Sequence, residues 1–177
     1  LLTSFALHAQ NYKPASSRLT TQWGENVSPQ NVWQQYPRPQ MERSEWQNLN
    51  GLWDYSIQKK GSAKPAAFDG NILVPFGIES ALSGVGKPLT PEQELWYSRT
   101  FSIPANWNDK NIILHFDAVD WETKVWVNGK LAGTHKGGSD PFQFDITSFL
   151  KKQGEQELVV SVWDPTDTDM QARGKQS

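Results

Sequence analysis

Two short segments with alternating apolar residues flank the dipeptide Asn128-Gly129, and this arrangement constrains the fold more than any other feature of the sequence. The segments span residues 123–127 and 130–135. Asparagine and glycine both tolerate a positive φ, so this pair between two strand patterns predicts a β-hairpin with a two-residue turn. The sequence therefore predicts antiparallel strand pairing here.

The rest of the chain repeats the same kind of signal. Short apolar runs, separated by Gly, Pro and Asn, predict strands over residues 51–57, 72–75, 96–103, 111–116 and 156–163. Only residues 145–152 have a helical pattern, long enough for a single turn that Asp145 or Thr147 could cap. Many short strands with almost no helix predict an all-β fold, an antiparallel β-sandwich or jelly roll.

Composition excludes several classes of protein. The 177 residues carry a formal net charge of −2, which provides no basic surface for nucleic acid. The absence of cysteine excludes disulfides and thiolate metal sites. No apolar run reaches the roughly 18 residues that a membrane span needs. We therefore expect a soluble domain with neither nucleic acid nor a membrane as its partner.

The two ends of the chain differ from its centre. Residues 1–9 are rich in Leu, Phe and Ala, and they predict a signal-peptide remnant cleaved before Gln10; a short apolar strand is the alternative. A signal peptide would place the protein in the periplasm or outside the cell. Residues 10–45 predict an extended arm pinned by its aromatic rings, and residues 166–177 a polar loop, which leaves 46–165 as the β-domain.

Candidates for chemistry within the chain are few. The three histidines have no spaced ligand partners, so we expect no zinc site. The acids of the tail suggest either a calcium loop or an Asp-rich turn, and the sequence does not decide between them. Two acid pairs have the strand spacing of neighbours on one face, but nothing places them in a cleft. These residues are His8, His115, His135; Asp164, Asp167, Asp169; Asp120 with Glu122; and Glu92 with Glu94.

Five segments occur together that resemble the family 2 glycoside hydrolases. They are NLNGLW (48–53), VPFGIES (74–80), WYSRTF (96–101), the stretch from His115 to Thr147, and the tail, with VWDPTD (162–167) and QARGKQ (171–176). Each segment alone is a weak signal, but their order along the chain makes chance unlikely.

This resemblance implies an N-terminal, galactose-binding-like jelly roll, followed in the same chain by an immunoglobulin-like sandwich and a TIM barrel. Such enzymes hydrolyse β-linked carbohydrates with retention, using two barrel glutamates whose carboxyl groups lie about 5–5.5 Å apart. We therefore expect no catalytic residue and no cofactor in this chain. Its role would be to brace the barrel and contribute loops to the pocket rim. The alternatives are an autonomous carbohydrate-binding module and a protein-interaction sandwich.

Four residues are candidate substrate contacts. Glu79 lies near the start of a Gly- and Pro-rich connection over residues 77–94, which we expect to be a long mobile excursion; Glu79 could instead cap backbone amides. Asp169, Arg173 and Lys175 lie in the polar tail, where Arg173 and Lys175 could bind an acidic sugar or pair with an acid of the barrel. In the domain itself, a buried Arg99 would need a carboxylate partner, Asp120 or Asp145.

Overall fold

A computed structural model describes residues 12–17 and 20–165, and the strands within these residues follow the apolar patterns of the sequence. The predicted hairpin is confirmed, with Asn128 at φ 50° and Gly129 at φ 78°. One strand, β7, was not predicted, because its four residues follow Pro141 too closely to give a pattern of their own. The strands are β1 (Gly51–Lys59), β2 (Gly70–Val74), β3 (Gln93–Phe101), β4 (Ile113–Phe116), β5 (Glu122–Val127), β6 (Lys130–Lys136), β7 (Phe142–Asp145) and β8 (Gln156–Trp163).

The strands form two antiparallel sheets. The larger has the order β2-β1-β3-β8-β5-β6, and the smaller is the pair β4-β7. Helical structure among the described residues consists of short 3-10 turns, so the all-β class is confirmed. One turn, Thr147–Phe149, occupies the segment with the helical pattern, and the Asp145 carboxylate accepts a hydrogen bond from the Thr147 amide at 2.9 Å. No helix in the described part of the chain is long and apolar enough to cross a bilayer.

The core lies between the two sheets. Alternate residues of the larger sheet point inward, including Leu95, Val125 and Val160, and they meet Leu114 of the smaller sheet. The period of two predicted for β4 is confirmed, because Leu114 is buried while His115 is exposed. Burying this apolar surface is the main force that holds the sheets together.

The described part of the arm has no strands, but its anchors differ from those predicted. Tyr12 and Tyr36 do hold it, through a hydrogen bond from the Tyr12 hydroxyl to the Leu82 carbonyl (2.7 Å) and an edge-on contact of Tyr36 with Trp46. Trp23 does not pin the arm, since its side chain is 74% exposed, whereas Val32 is only 1% exposed. A small apolar anchor in a polar segment gives no periodic signal, which is why the sequence did not reveal it.

Candidate functional site

The connection between β2 and β3, residues 75–92, forms one surface of the domain. It is long, as predicted, but it packs onto itself instead of extending into solvent. Ser80 caps the 3-10 turn Ala81–Ser83 by accepting a hydrogen bond from the Leu82 amide at 3.2 Å. The Ser83 hydroxyl is fully buried and accepts from the Val85 amide at 3.0 Å. These bonds fix the backbone around Glu79.

The N-terminal arm lies against this connection. The Ala15 amide donates to the Ala81 carbonyl at 2.8 Å. Gly84 has φ +84°, and a Cβ there would lie 3.2 Å from the Lys13 carbonyl oxygen. A side chain at position 84 would therefore be strained by the backbone as well as crowded by the arm. The arm and the β2–β3 connection together form a continuous surface, which we call the loop face.

Glu79 is exposed on the loop face, and Ser80, not Glu79, makes the cap of the turn beside it. Burial raises the pKa of the Tyr97 phenol, and the negative charge of Glu79 raises it further. Tyr97 therefore stays protonated, with a carboxylate close enough to affect it electrostatically. A carboxylate accepts hydrogen bonds and a phenol donates or accepts them, which suits both groups to sugar hydroxyls.

Arg99 lies two residues after Tyr97 on the same face of β3. Its guanidinium donates to the carbonyl oxygens of Leu49 and Asn50, at 2.6 and 2.9 Å. The Trp53 indole donates to the same Leu49 carbonyl at 2.8 Å and contacts Tyr97 edge-on. Burial lowers the pKa of Arg99. The prediction that Asp120 or Asp145 is the partner is wrong, because the acceptors among the described residues are carbonyl oxygens just before β1.

The two acids proposed as partners of Arg99 have other roles. Asp145 accepts hydrogen bonds from the amide and hydroxyl of Thr147, and these bonds lower its pKa. Asp120 lies against Gly138, where a Cβ would be 2.4 Å from the Asp120 Cγ. Gly138 is therefore required for the close approach of this carboxylate.

In each acid pair considered from spacing, one member is held by a lysine. Glu122 makes an ion pair with Lys136 at 3.1 Å, on the hairpin. Glu94 is only 4% exposed, accepts a hydrogen bond from the Gly61 amide at 2.9 Å and lies 3.9 Å from the Lys124 ammonium. Glu122 and Glu94 are thus each held by a partner of their own. The described residues contain no group of three or more His, Asp or Glu side chains that could hold a metal ion.

Several predicted residues lie outside the part of the chain that the structure describes. These are the tail candidates Asp169, Arg173 and Lys175, the calcium candidate Asp167, and the signal-peptide remnant with His8. Asp164 is described and half-buried beside Pro165.

The sequence analysis did not predict a pocket on the outer face of the larger sheet, lined by Glu94, Trp96, Lys124 and Trp126 among others. One sequence pattern could have indicated this pocket: both β3 and β5 have a charged residue followed two positions later by a Trp.

Comparisons with known proteins identify the family. Residues 71–172 match the family described as glycosyl hydrolases family 2, sugar binding domain. This match covers more than half of the chain, and the chain belongs to that family. The jelly-roll expectation agrees with the two antiparallel sheets.

Three similar proteins are much longer than the segment that they share with this chain. A β-galactosidase of Thermoanaerobacter pseudethanolicus is 39% identical over 36% of this chain and 9% of its own length. A putative β-glucuronidase of Formosa agariphila is 28% identical over 78% of this chain and 17% of its own. The structure of a Lactobacillus rhamnosus β-glucuronidase superposes with a TM-score of 0.55 and 30% identity, over 67% of this chain and 21% of that one. The chain thus spans about a fifth or less of each relative.

Proposed function

We propose that the chain is the non-catalytic N-terminal domain of a secreted retaining β-glycosidase of the β-galactosidase or β-glucuronidase type. The proposal rests on the family match and on how little of each relative this chain covers. Of the three relatives, 79–91% of the length lies outside the matched segment. Glu94 and Glu122, which the sequence offered as members of carboxylate pairs, are each held by a lysine, and this supports a catalytic pair that lies elsewhere.

The first role that we propose is to brace the catalytic barrel through the loop face. Trp33 is 63% exposed, yet its carbonyl accepts a hydrogen bond from the Asn48 side chain at 2.7 Å and its ring contacts Phe76. An exposed indole on a fixed backbone suits packing against another domain.

A pair of variants tests the brace. In the full-length parent enzyme, Trp33→Ser should lower the melting temperature, because the indole would lose its interdomain contact. Leu131→Ser is the matched control, since Leu131 is 51% exposed on β6, at the opposite edge of the sheet from β2. Equal melting temperatures for the Trp33 variant and the unmodified enzyme would contradict the brace.

The second role that we propose is to place Glu79 at the rim of the substrate pocket. Glu79→Gln keeps the shape of the side chain and removes its charge, so KM should rise or kcat fall in the parent enzyme. Glu92→Gln is the control, since Glu92 is an exposed acid of the same connection. If both variants kept the kinetics of the unmodified enzyme, Glu79 would not be a substrate contact.

The tail carries the remaining candidates. We propose that Arg173 and Lys175 pair with acids of the barrel, because charged pairs between domains are commoner than substrate clamps. Arg173→Ala and Lys175→Ala should then weaken activity equally on neutral and acidic aryl glycosides and lower thermal stability. A loss confined to the acidic substrate would instead indicate a clamp on a glucuronide carboxylate.

Secretion is the third part of the proposal, and it rests on the apolar residues that precede Gln10. The mature protein, purified from the periplasm or the medium of its own cells, should begin at Gln10 when its N-terminus is sequenced. Protein that remains in the cytoplasm with residues 1–9 intact would contradict it.

A further inference from the structure

The side chain of Asn128 is held by three hydrogen bonds, although it lies in the β5–β6 turn. Its Nδ2 donates to the Phe149 carbonyl at 2.9 Å and to the Gln156 side-chain oxygen at 2.8 Å, and its Oδ1 accepts from the Glu157 amide at 2.9 Å. The backbone amide of Asn128 also donates to the Glu157 carbonyl at 2.9 Å. Through this one residue, the turn is tied to β8 and to the segment that precedes it.

Asparagine followed by glycine is chemically labile, because glycine has no side chain that hinders attack by its own backbone nitrogen. The Gly129 nitrogen loses its proton and bonds to Cγ of Asn128. The Cγ–Nδ2 bond then breaks, and the amide nitrogen leaves as ammonia with the proton that Gly129 gave up. The resulting five-membered succinimide takes up one water molecule and opens at Cγ to aspartate, or at the main-chain carbonyl to isoaspartate. The net change exchanges –NH₂ for –OH, with water consumed and ammonia released.

The folded turn opposes this reaction at Asn128. Gly129 is exposed, so exclusion of water does not protect the pair. A bond between Cγ and the Gly129 nitrogen instead requires the side chain to leave its three partners together. One of them, Gln156, is only 2% exposed, and it fixes the nitrogen that must depart. Breaking all of these bonds at once is a local unfolding event, and the population of the open turn therefore limits the rate.

The product does not fit the place that the amide leaves. In aspartate an oxygen replaces Nδ2, and it would lie 2.8–2.9 Å from two oxygens that are themselves acceptors. Two hydrogen bonds are lost, and the new carboxylate charge faces two partial negative charges. Isoaspartate in addition lengthens the backbone of a two-residue turn, which disturbs the pairing of β5 with β6.

We propose that Asn128 is a concealed modification site, which deamidates when the β5–β6 turn separates from β8 and then keeps the turn from closing again. Each opening of the turn carries a chance of an irreversible change, so the site limits the lifetime of the folded domain. This inference uses only the turn, β8 and the segment before it, and it does not depend on the proposed function.

The other Asn-Gly pair of the chain, Asn50-Gly51, provides an internal comparison. Here the backbone carries much of the restraint, because Gly51 is buried at the start of β1 and Arg99 donates to the Asn50 carbonyl at 2.9 Å. Arg99→Leu should therefore loosen Asn50, whereas Gln156→Leu should loosen Asn128. Each substitution removes a side chain with several hydrogen bonds, so we expect similar losses of global stability.

The first test is peptide mapping by mass spectrometry of the full 177-residue chain, incubated at mildly alkaline pH. Deamidation of Asn128 should be at least about tenfold slower in the folded chain than in urea that unfolds it. In buffer, Gln156→Leu should deamidate at Asn128 at least about fivefold faster than Arg99→Leu, and Asn50 should show the opposite order. Equal rates in the folded and unfolded chain, or equal acceleration of Asn128 by both variants, would overturn the proposal.

Hydrogen exchange provides a second measurement if Gln156→Leu does not fold. The Glu157 amide donates to Asn128 Oδ1, so its exchange reports the same opening in the unmodified chain. In urea too dilute to unfold the chain, deamidation of Asn128 should rise in parallel with exchange at Glu157. A rate that instead follows the slowest-exchanging core amides would show that only global unfolding releases the site, contrary to the proposal.

Two substitutions test whether the modified turn can close. Asn128→Asp makes the product without the reaction, and Asn128→Gly removes the side chain from a turn that glycine tolerates. Asn128→Asp should have the lower Tm, although aspartate can still accept from the Glu157 amide and glycine cannot. A Tm for Asn128→Asp at or above that of Asn128→Gly would show that the carboxylate is tolerated, and the closing step of the proposal would then be wrong.

Discussion

Gly133 is the position where one added methyl group should most disturb the contact between the two sheets. A Cβ at this residue of β6 would lie 2.1 Å from Cε1 of Phe144, on β7. The Phe144 ring cannot simply turn away, since it packs edge-on against Phe142, which itself stacks on His135. Gly133→Ala must therefore push the two sheets apart or force the ring from its rotamer.

The expected cost can be worked out from this geometry. Adding a methyl group to a packed site costs about 1–3 kcal/mol, and an overlap with a ring that is itself held should fall at the upper end, about 3 kcal/mol. For a chain of this length, such a loss lowers Tm by about 6–12 °C. Thermal unfolding followed by circular dichroism, together with urea unfolding, measures both quantities.

Two further variants make the interpretation specific. Gly24→Ala is the control, since its nearest contact would be an ordinary 3.5 Å to the Thr21 hydroxyl oxygen, and it should change stability by less than about 0.5 kcal/mol. Phe144→Leu combined with Gly133→Ala should recover part of the loss, with a coupling energy of about 0.5–3 kcal/mol. A Gly133→Ala variant that unfolds at the unmodified Tm, or a double variant without coupling, would refute the steric explanation.

Three other predictions follow from the hydrogen-bond networks. Arg99→Leu should cost about 1.5–3 kcal/mol in urea unfolding, because it leaves the Asn50 carbonyl without this charged donor and the Leu49 carbonyl with the Trp53 indole alone; a cost below 0.5 kcal/mol would contradict this. Gln156→Leu should lower the free energy of unfolding by about 2–3 kcal/mol, because this buried amide makes four hydrogen bonds around the β5–β6 turn and the loop before β8. An unchanged Tm for this variant would contradict the prediction. The lowered pKa of Asp145 contributes stability that is complete above its ordinary value of 3.8 and is lost as pH falls through the lower folded value. Thr147→Val should therefore raise the pKa of Asp145 in an NMR titration, and an unchanged titration would show that Thr147 is not the cause.

Local patterns were sufficient to predict most of the fold. The Asn128-Gly129 turn fixes one hairpin, and the alternation in β4 and β8 marks their buried faces, because both signals depend on neighbours along the chain. The short β7 was missed because it becomes a strand only by pairing with β4, which is distant in sequence, and Val32 because a single apolar residue in a polar segment gives no periodic signal. The partners of Arg99 were wrongly predicted for the same reason: the carbonyl groups that it binds lie 49 and 50 positions away.

The candidate sites were harder to predict than the strands. Glu79 could be named from the sequence, but its neighbour Tyr97 could not, since they meet only when the β2–β3 connection packs beside the sheet. The pocket on the outer face depends on a loop from one hairpin closing over three other strands. The charged-residue and Trp repeats in β3 and β5 were visible, but only the sheet order places these strands on either side of β8.

The most direct test of the proposed role is the activity of the chain alone. The purified 177-residue protein is incubated with aryl β-galactosides and aryl β-glucuronides, and release of the aryl group is measured beside the full-length parent enzyme. We expect release by the parent and none above the buffer rate by the 177-residue chain, because the catalytic glutamates would lie in the barrel. Turnover by this chain at rates typical of enzymes, about 1–10³ s⁻¹, would contradict it.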